Sequence, residues 1–436
     1  MEKLKYFNTP KGQIYLRRAR LKSWFHVKID QEPSSKSIKK FDAIYFQRKV
    51  LEALKLRHKR AYSSPLVLQI DFYTSQKNPP SIHNLAKNYL DLLKYPVPGS
   101  KIKNRRILYN DDRQIKLLIV NYCLGGGQGV HIEVETLRNF ICDLDLIRRI
   151  EMSDFEESDD FDYYDLTYFH KEIDGSGDND LDIDDGFGSD DLRELEAEKN
   201  DYVKRGRLKF YLTYKDMIIR DIQRSYLKSR QITINSLLSI FPSYYLKEKS
   251  KVTGVKIFDD IAGIGRNLVG TLGIRLPNKP TKRGGSSEFK KEIKVILEDF
   301  KRKFNELFPL KSVLGLTILF LPPKNQGIDL DNLARKYIVP FVNDIVRPPR
   351  NYADTIDMEN MEDGFLKKHL LDELNKLPKE PQYSITQYQI IEMPRLEQDS
   401  SEGYIRLLFN DGGYESNLWA KVKNILDEWE DAVDYH

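Results

Sequence analysis

Two pairs of aspartates carry the chemistry this chain could do. Asp329-Leu330-Asp331 sets two carboxylates one residue apart, after an apolar run from Val313 to Leu321 that reads as a buried strand. A helical pattern from Leu333 to Val342 follows, with Asp331 at or near its N-cap. Two carboxylates where a strand gives way to a helix can aim at one point, and hard oxygen donors suit Mg2+, or alternatively Mn2+. Upstream, Asn110-Asp111-Asp112-Arg113-Gln114-Ile115 places two adjacent acids immediately before another strand. Read singly, each pair serves equally well as a helix cap or a turn. An echo lifts the first above chance: Ser81-Ile82-His83-Asn84-Leu85-Ala86-Lys87 repeats the Asn-Leu-Ala-(Lys/Arg) frame of Asp329 to Arg335, with both aspartates replaced.

The echo belongs to a longer repeat. Phe25 to Ile29 alternates like a strand, a helical pattern covers Lys39 to Leu56, and a strand covers Pro65 to Tyr73. After the Asn-Leu-Ala helix come two more strands, Ile115 to Tyr122 and Val130 to Val134. The second half repeats that order: Gly273 to Leu276, Glu288 to Leu307, Ser312 to Leu321, the Asn-Leu-Ala helix, then Tyr388 to Met393 and Tyr404 to Phe409. Two α+β units in one chain are expected to pack as an intramolecular pseudo-dimer, a pseudo-two-fold axis replacing that of a homodimer. The organisation expected is a first repeat over 1–140, an acidic disordered linker over 141–200, a helical connector over 201–270, and a second repeat with a closing helix over 271–436.

Asp-x-Asp-Asn-x-x-Lys, a helix, then Asp-Asp-x-x-Ile entering a strand resembles the RusA-like Holliday junction resolvases, over roughly 25–135 and 272–411. The resemblance implies a magnesium-dependent endonuclease that cuts branched DNA with clustered aspartates and a lysine. Carried over residue by residue, the two copies are complementary. The second keeps Asp329, Asp331 and Asn332, has Arg335 where the family has lysine, and has Tyr383-Ser384-Ile385-Thr386 in place of the later acids. The first keeps Asn84, Lys87, Asp111 and Asp112, with Asp91 matching a further helix aspartate, but has Ser81 and His83 at the Asp-x-Asp positions. Neither copy is whole. The pattern points to one composite site, Asp329 and Asp331 meeting Asp111 and Asp112 across the pseudo-dimer, with Lys87 or Arg335 contacting the phosphate. The alternative is a catalytically inactive nucleic-acid-binding or scaffold protein in a larger assembly.

Charge fits a polyanion partner. Residues 151–200 hold 20 acidic against three basic residues, so a total of +4 conceals −17 there and +21 elsewhere. Arg17, Arg18, Arg20, Lys36, Lys282 and Arg283, with Asn84 and Asn332, are the expected nucleic-acid contacts. The acidic segment reads as a solvated linker, or as a recruiter of a basic protein partner, or as a competitor for the nucleic-acid groove. The chain itself would be a monomeric pseudo-dimer or a higher oligomer. With no apolar N-terminal run, no stretch near the length of a membrane span, and two cysteines (Cys123 and Cys142), a cytoplasmic, non-membrane protein without a disulfide framework is expected. Ile261-Ala262-Gly263-Ile264-Gly265 reads as a plain glycine turn, and Leu124 to Gly127 as a hairpin loop without the lysine of a phosphate-binding loop. Asp178 to Asp182 lacks the glycine a calcium loop needs after it.

Overall fold

A computed structural model describes residues 6–35, 38–74, 79–124, 127–151, 194–229 (without 196 and 206), 274–276, 285–324 (without 304 and 309), 329–346, 385–395 (without 394), 403–413 and 417–435. In chain order the first half runs α1 (Pro10–Leu21), β1 (Phe25–Ile29), α2 (Lys40–Leu56), β2 (Leu66–Thr74), α3 (Ile82–Lys94), β3 (Ile115–Leu124), β4 (Gly129–Thr136) and α4 (Leu137–Glu151). Two connecting helices follow, α5 (Lys199–Lys204) and α6 (Leu208–Ser229). The second half runs β5 (Ile274–Leu276), α7 (Gly285–Lys303), β6 (Leu314–Leu321), α8 (Leu330–Leu333), a π turn (Ala334–Ile338), α9 (Val339–Val346), β7 (Ile385–Glu392), β8 (Gly403–Asn410) and α10 (Leu418–Tyr435).

All eight strands join one mixed sheet in the order β1-β4-β2-β3-β7-β6-β8-β5. Read from either edge, the order is the same once the first-half strands are matched with their second-half counterparts. The central pair, β3 and β7, is antiparallel and joins the halves through Leu117 to Asn121 and Gln387 to Ile391. β2 runs parallel to β3 with a register shift after Leu66, and β6 runs parallel to β7 with the same shift after Leu314. These registers make Ile119 and Gln389 equivalent positions, and they also face each other. The pseudo-dyad therefore passes through that pair.

Alternation along the strands splits the core into two layers. Leu66, Leu68, Ile70 and Phe72 of β2, with Leu316, Ile318 and Phe320 of β6, pack beneath α2, α3, α7 and the α8–α9 run. Val67, Leu117, Ile119, Leu319 and Ile391 face α1, α4 and α10, where Trp419 and Trp429 fill the far side. The result is a helix–sheet–helix sandwich.

Several expectations change here. β3 and β4 are not a hairpin: both pair with β2, on opposite sides of it. The boundary placed at 140 falls inside α4, whose Leu137, Phe140, Leu144 and Ile147 belong to a core layer shared by both halves. The acidic residues 152–193, the glycine turn at 261–265, the segment around Tyr383 and Ser384, and Lys36, Lys282 and Arg283 lie outside the described residues. No described helix is long and apolar enough to cross a membrane.

Arg17, Arg18 and Arg20, expected on a phosphate backbone, are engaged in ion pairs within the protein. Asp427, Glu430 and Asp434 form an acidic stripe on α10 that pairs with Arg17 and Arg18, and Arg20 Nη2 meets Asp143 Oδ1 of α4 at 2.6 Å. Arg17 is buried, and its cost in desolvation is offset by Asp427 and Glu430, by the charge of Asp143 and by a hydrogen bond to Leu426 O.

On the tryptophan-bearing face, Glu135 of β4 is buried with no hydrogen-bond partner for Oε1, and burial, reinforced by Asp143, pushes its carboxyl up to about 8. Burial also lifts Asp71 to about 6, against hydrogen bonds from Asn121 and Gln69. Unfolded, both ionise at about 4. Between those limits the folded state holds more protons than the unfolded one, so stability is lost as pH rises. The urea midpoint should fall from about pH 5 to about pH 8, and Glu135→Gln should flatten most of that decline.

Candidate metal centre

The junction after β6 delivers the first two carboxylates. Asp329 occupies the N-cap position of α8 and Asp331 the first turn, in keeping with the expectation of Asp331 at or near the cap. Asp329 makes no capping bond to the helix amides; its Oδ2 accepts from Asn332 Nδ2 at 3.3 Å. Asp331 is buried, and the helix continues into the π turn rather than a regular α turn. Such turns often mark functional sites, where an extra residue per turn redirects the side chains that follow.

The third carboxylate comes from the other half. Asp111 and Asp112 are adjacent just before β3 and both lie near Lys94 Nζ, at 3.8 and 3.3 Å, but they differ in burial. Asp111 caps a short 3-10 turn: its Oδ1 accepts from Arg113 N at 3.0 Å, while Gln114 Oε1 accepts from Asp111 N at 2.8 Å. That leaves its side chain 55% exposed, and the bond from Arg113 N holds its carboxyl below the usual range. Asp112 is buried. Its oxygen lies with those of Asp329 and Asp331 in a cluster whose ligand atoms are all within 4.8 Å of one another. Three of the four expected ligands thus meet across the pseudo-dyad. Asp111 does not join them.

Two lysines on one face of α3 hold the cluster. Lys87 Nζ stands 3.0 Å from Asp331 Oδ2 and 2.8 Å from Asp91 Oδ1; Lys94, two turns on, stands 3.3 Å from Asp112 Oδ2. Burial lowers the Lys87 ammonium, but Asp91 and Asp331 outweigh it and the net direction is up. Asp112 moves the other way for a carboxylate, raised by burial, with Lys94 opposing. Below lie Tyr109 and Tyr388, fully buried and held well above the usual phenol range by that burial. Tyr109 donates to Leu90 O at 2.8 Å; the Tyr388 hydroxyl has no hydrogen-bond partner among the described residues.

The donor set fits a hard divalent cation on one observation in particular. Among the described residues, Asp112 Oδ1 is buried with no hydrogen-bond partner, and Asp331 Oδ2 has only the Lys87 ammonium beside it at 3.0 Å. Buried carboxylate oxygens left in that state are costly unless something else is bound there.

Of the remaining expected residues, Arg335 is separate from the cluster: its Nη2 donates to Asn332 Oδ1 at 3.4 Å, and no described carboxylate is within ion-pair distance. Asn84 and Asn332 hold equivalent places, each donating to the first residue of its motif, Ser81 or Asp329. Sequence reasoning missed Lys94, although its seven-residue offset from Lys87 on one helix was the available signal. It also missed the loop after α3, where Lys101, Lys103 and Arg105 are exposed and Arg106 lies 4.4 Å from the centroid of the Tyr95 ring. That loop returns to the protein through Ile107 and Leu108 and leads directly to Asp111 and Asp112.

Comparison with protein-family models, curated proteins and solved structures finds no match to this chain.

Titration with Mn2+ followed by calorimetry or electron paramagnetic resonance should show binding that Asp112→Asn and Asp331→Asn each weaken at least about tenfold, a loss of about 1.4 kcal/mol. Asp111→Ala should bind as the wild type does.

Proposed function

We propose that this protein is a metal-dependent, structure-selective endonuclease that nicks branched nucleic acid, DNA being favoured, through one composite site. The observation that carries the reading is the meeting of Asp112 from the first half with Asp329 and Asp331 from the second. It is the complementary loss read in the two motif copies, translated into geometry, and it supports two RusA-like repeats arranged as a pseudo-dimer. Bound Mg2+ or Mn2+ would supply the Lewis acid that activates a water and offsets charge on the scissile phosphate. Asp112, Asp329 and Asp331 would hold it. Lys87, half-buried beside Asp331, is placed to meet a phosphate oxygen or the leaving oxygen. The exposed cations of the 95–106 loop supply the sequence-independent attraction to the backbone. One site makes one nick, so symmetrical cutting of a four-way junction needs two molecules.

A second reading, a binding protein without catalysis, draws on the ion pairs of Lys87 and Lys94, which neutralise two of the three carboxylates.

A nicking assay with Mg2+ on four-way, flap and linear DNA separates them. Either Asp112→Asn or Asp331→Asn alone should abolish nicking, Lys87→Met should slow it about 100-fold or more with metal binding retained, and Asp111→Asn should leave it intact. Full activity in either of the first two variants refutes the composite site. DNA binding that falls steeply with salt, but with no nicking on any substrate, selects the second reading.

A further inference from the structure

We infer that the pseudo-symmetric counterpart of the metal centre, built on Ser81, His83 and Arg335, is a metal-free phosphate pocket that anchors a second strand of the substrate. The inference rests on the nucleic-acid reading above but not on cleavage. Its starting point is the pseudo-dyad, which exchanges Asp329 with Ser81, Asp331 with His83, and Lys87 with Arg335. Lys87 stands 3.0 Å from Asp331, and the turn that carries Arg335 packs against α3, where burial and that guanidinium push the His83 imidazole down to about 4.

The two ends differ in charge. Lys87 has two carboxylates within 3.0 Å, Asp91 and Asp331. Arg335 has none among the described residues, and of its N–H groups only Nη2 finds an acceptor, while Nε is buried without one. A half-buried guanidinium without a counter-ion is costly to hold and recruits an anion. The neighbouring groups are donors too. His83, neutral near pH 7, keeps one N–H to give, and Asn84 Nδ2 reaches Ser81 Oγ at 2.7 Å. Ser81 occupies the N-cap position of α3 without capping it, so the amides of Ile82 and His83 open a 13-residue helix with no acceptor among the described residues. Helix-terminal amides beside an unpaired arginine suit a phosphate, preferably bidentate on the guanidinium. Where one half lost its aspartates, the site changed from holding a cation that holds a phosphate to holding the phosphate directly.

The test is binding of a blunt-armed four-way DNA junction and of a linear duplex to the full chain in EDTA, where neither is cut. Arg335→Gln should raise the junction Kd about tenfold or more and reduce the salt slope by about one, with a smaller change for the duplex. His83→Asp, which installs the residue the other half carries, should weaken the junction similarly and guards against a folding defect in the first variant. In the wild type, millimolar inorganic phosphate should shift the His83 ring resonances, and Arg335→Gln should remove that shift. Unchanged junction affinity in both variants overturns the pocket. So does loss of Mg2+-dependent flap nicking by Arg335→Gln at unchanged affinity, because Arg335 would then belong to cleavage. Failure of the nuclease reading shows instead as absent nicking in the wild type, with these metal-free affinities untouched.

Discussion

The β3–β7 pairing is the constraint on which everything else depends. Five backbone registers, Leu117 to Asn121 against Gln387 to Ile391, fix the two halves relative to each other. They thereby fix Asp112, just before β3, relative to the helix that follows β6. Side chains choose this pairing over its alternatives. Lys116 Nζ meets Glu392 Oε1 at 2.6 Å, and Gln387 Nε2 donates to Asn121 Oδ1 at 3.0 Å. If β3 paired with a copy of itself about the same axis, Asn121 would oppose Leu117 and Lys116 would have no acid. The polar contacts at the seam thus favour union of unlike halves, the way a buried polar residue specifies register in a coiled coil.

Division of labour between the halves follows from that union. Two identical subunits carry two identical sites, and a substitution in one alters both. Two linked, unlike repeats are free to differ, and here they do: three carboxylates lie beside two lysines at one motif, while the equivalent positions of the other hold Ser81 and His83. The fold is kept symmetrical because both faces of the sheet are apolar at equivalent places. The motif residues at equivalent places differ in charge, Asp329 and Asp331 against Ser81 and His83.

Much of this was legible in the residues because it was local. The strands β1 to β4 and β6 to β8, and the helices α2, α3 and α10, each announce themselves by alternation or by helical spacing over their own length. α1 carries a usable start signal as well, Thr9 accepting from Gly12 N with Pro10 at the first helical position. What stayed hidden depends on distant partners. An arginine reads alike whether a phosphate or a carboxylate awaits it, and the acids that claim Arg17 and Arg18 sit at the other end of the chain, on α10. The burial of Asp112 and the exposure of Asp111 go with a capping bond, invisible in a pair of identical letters. The path from β3 to β4 looks like a hairpin until β2 is known to lie between them.

The central place of β3 also bears on how the chain comes into being. In the finished sheet β3 has neighbours on both sides, β2 and β7. During synthesis β2 is available early, whereas β7 begins only at Ile385. For most of translation the first half therefore presents an open strand edge, apolar at Leu117 and Ile119, of the sort that invites pairing with another nascent chain. Lys116 lies on that edge with its acid not yet made, a charge that discourages stray strands until Glu392 emerges to neutralise it.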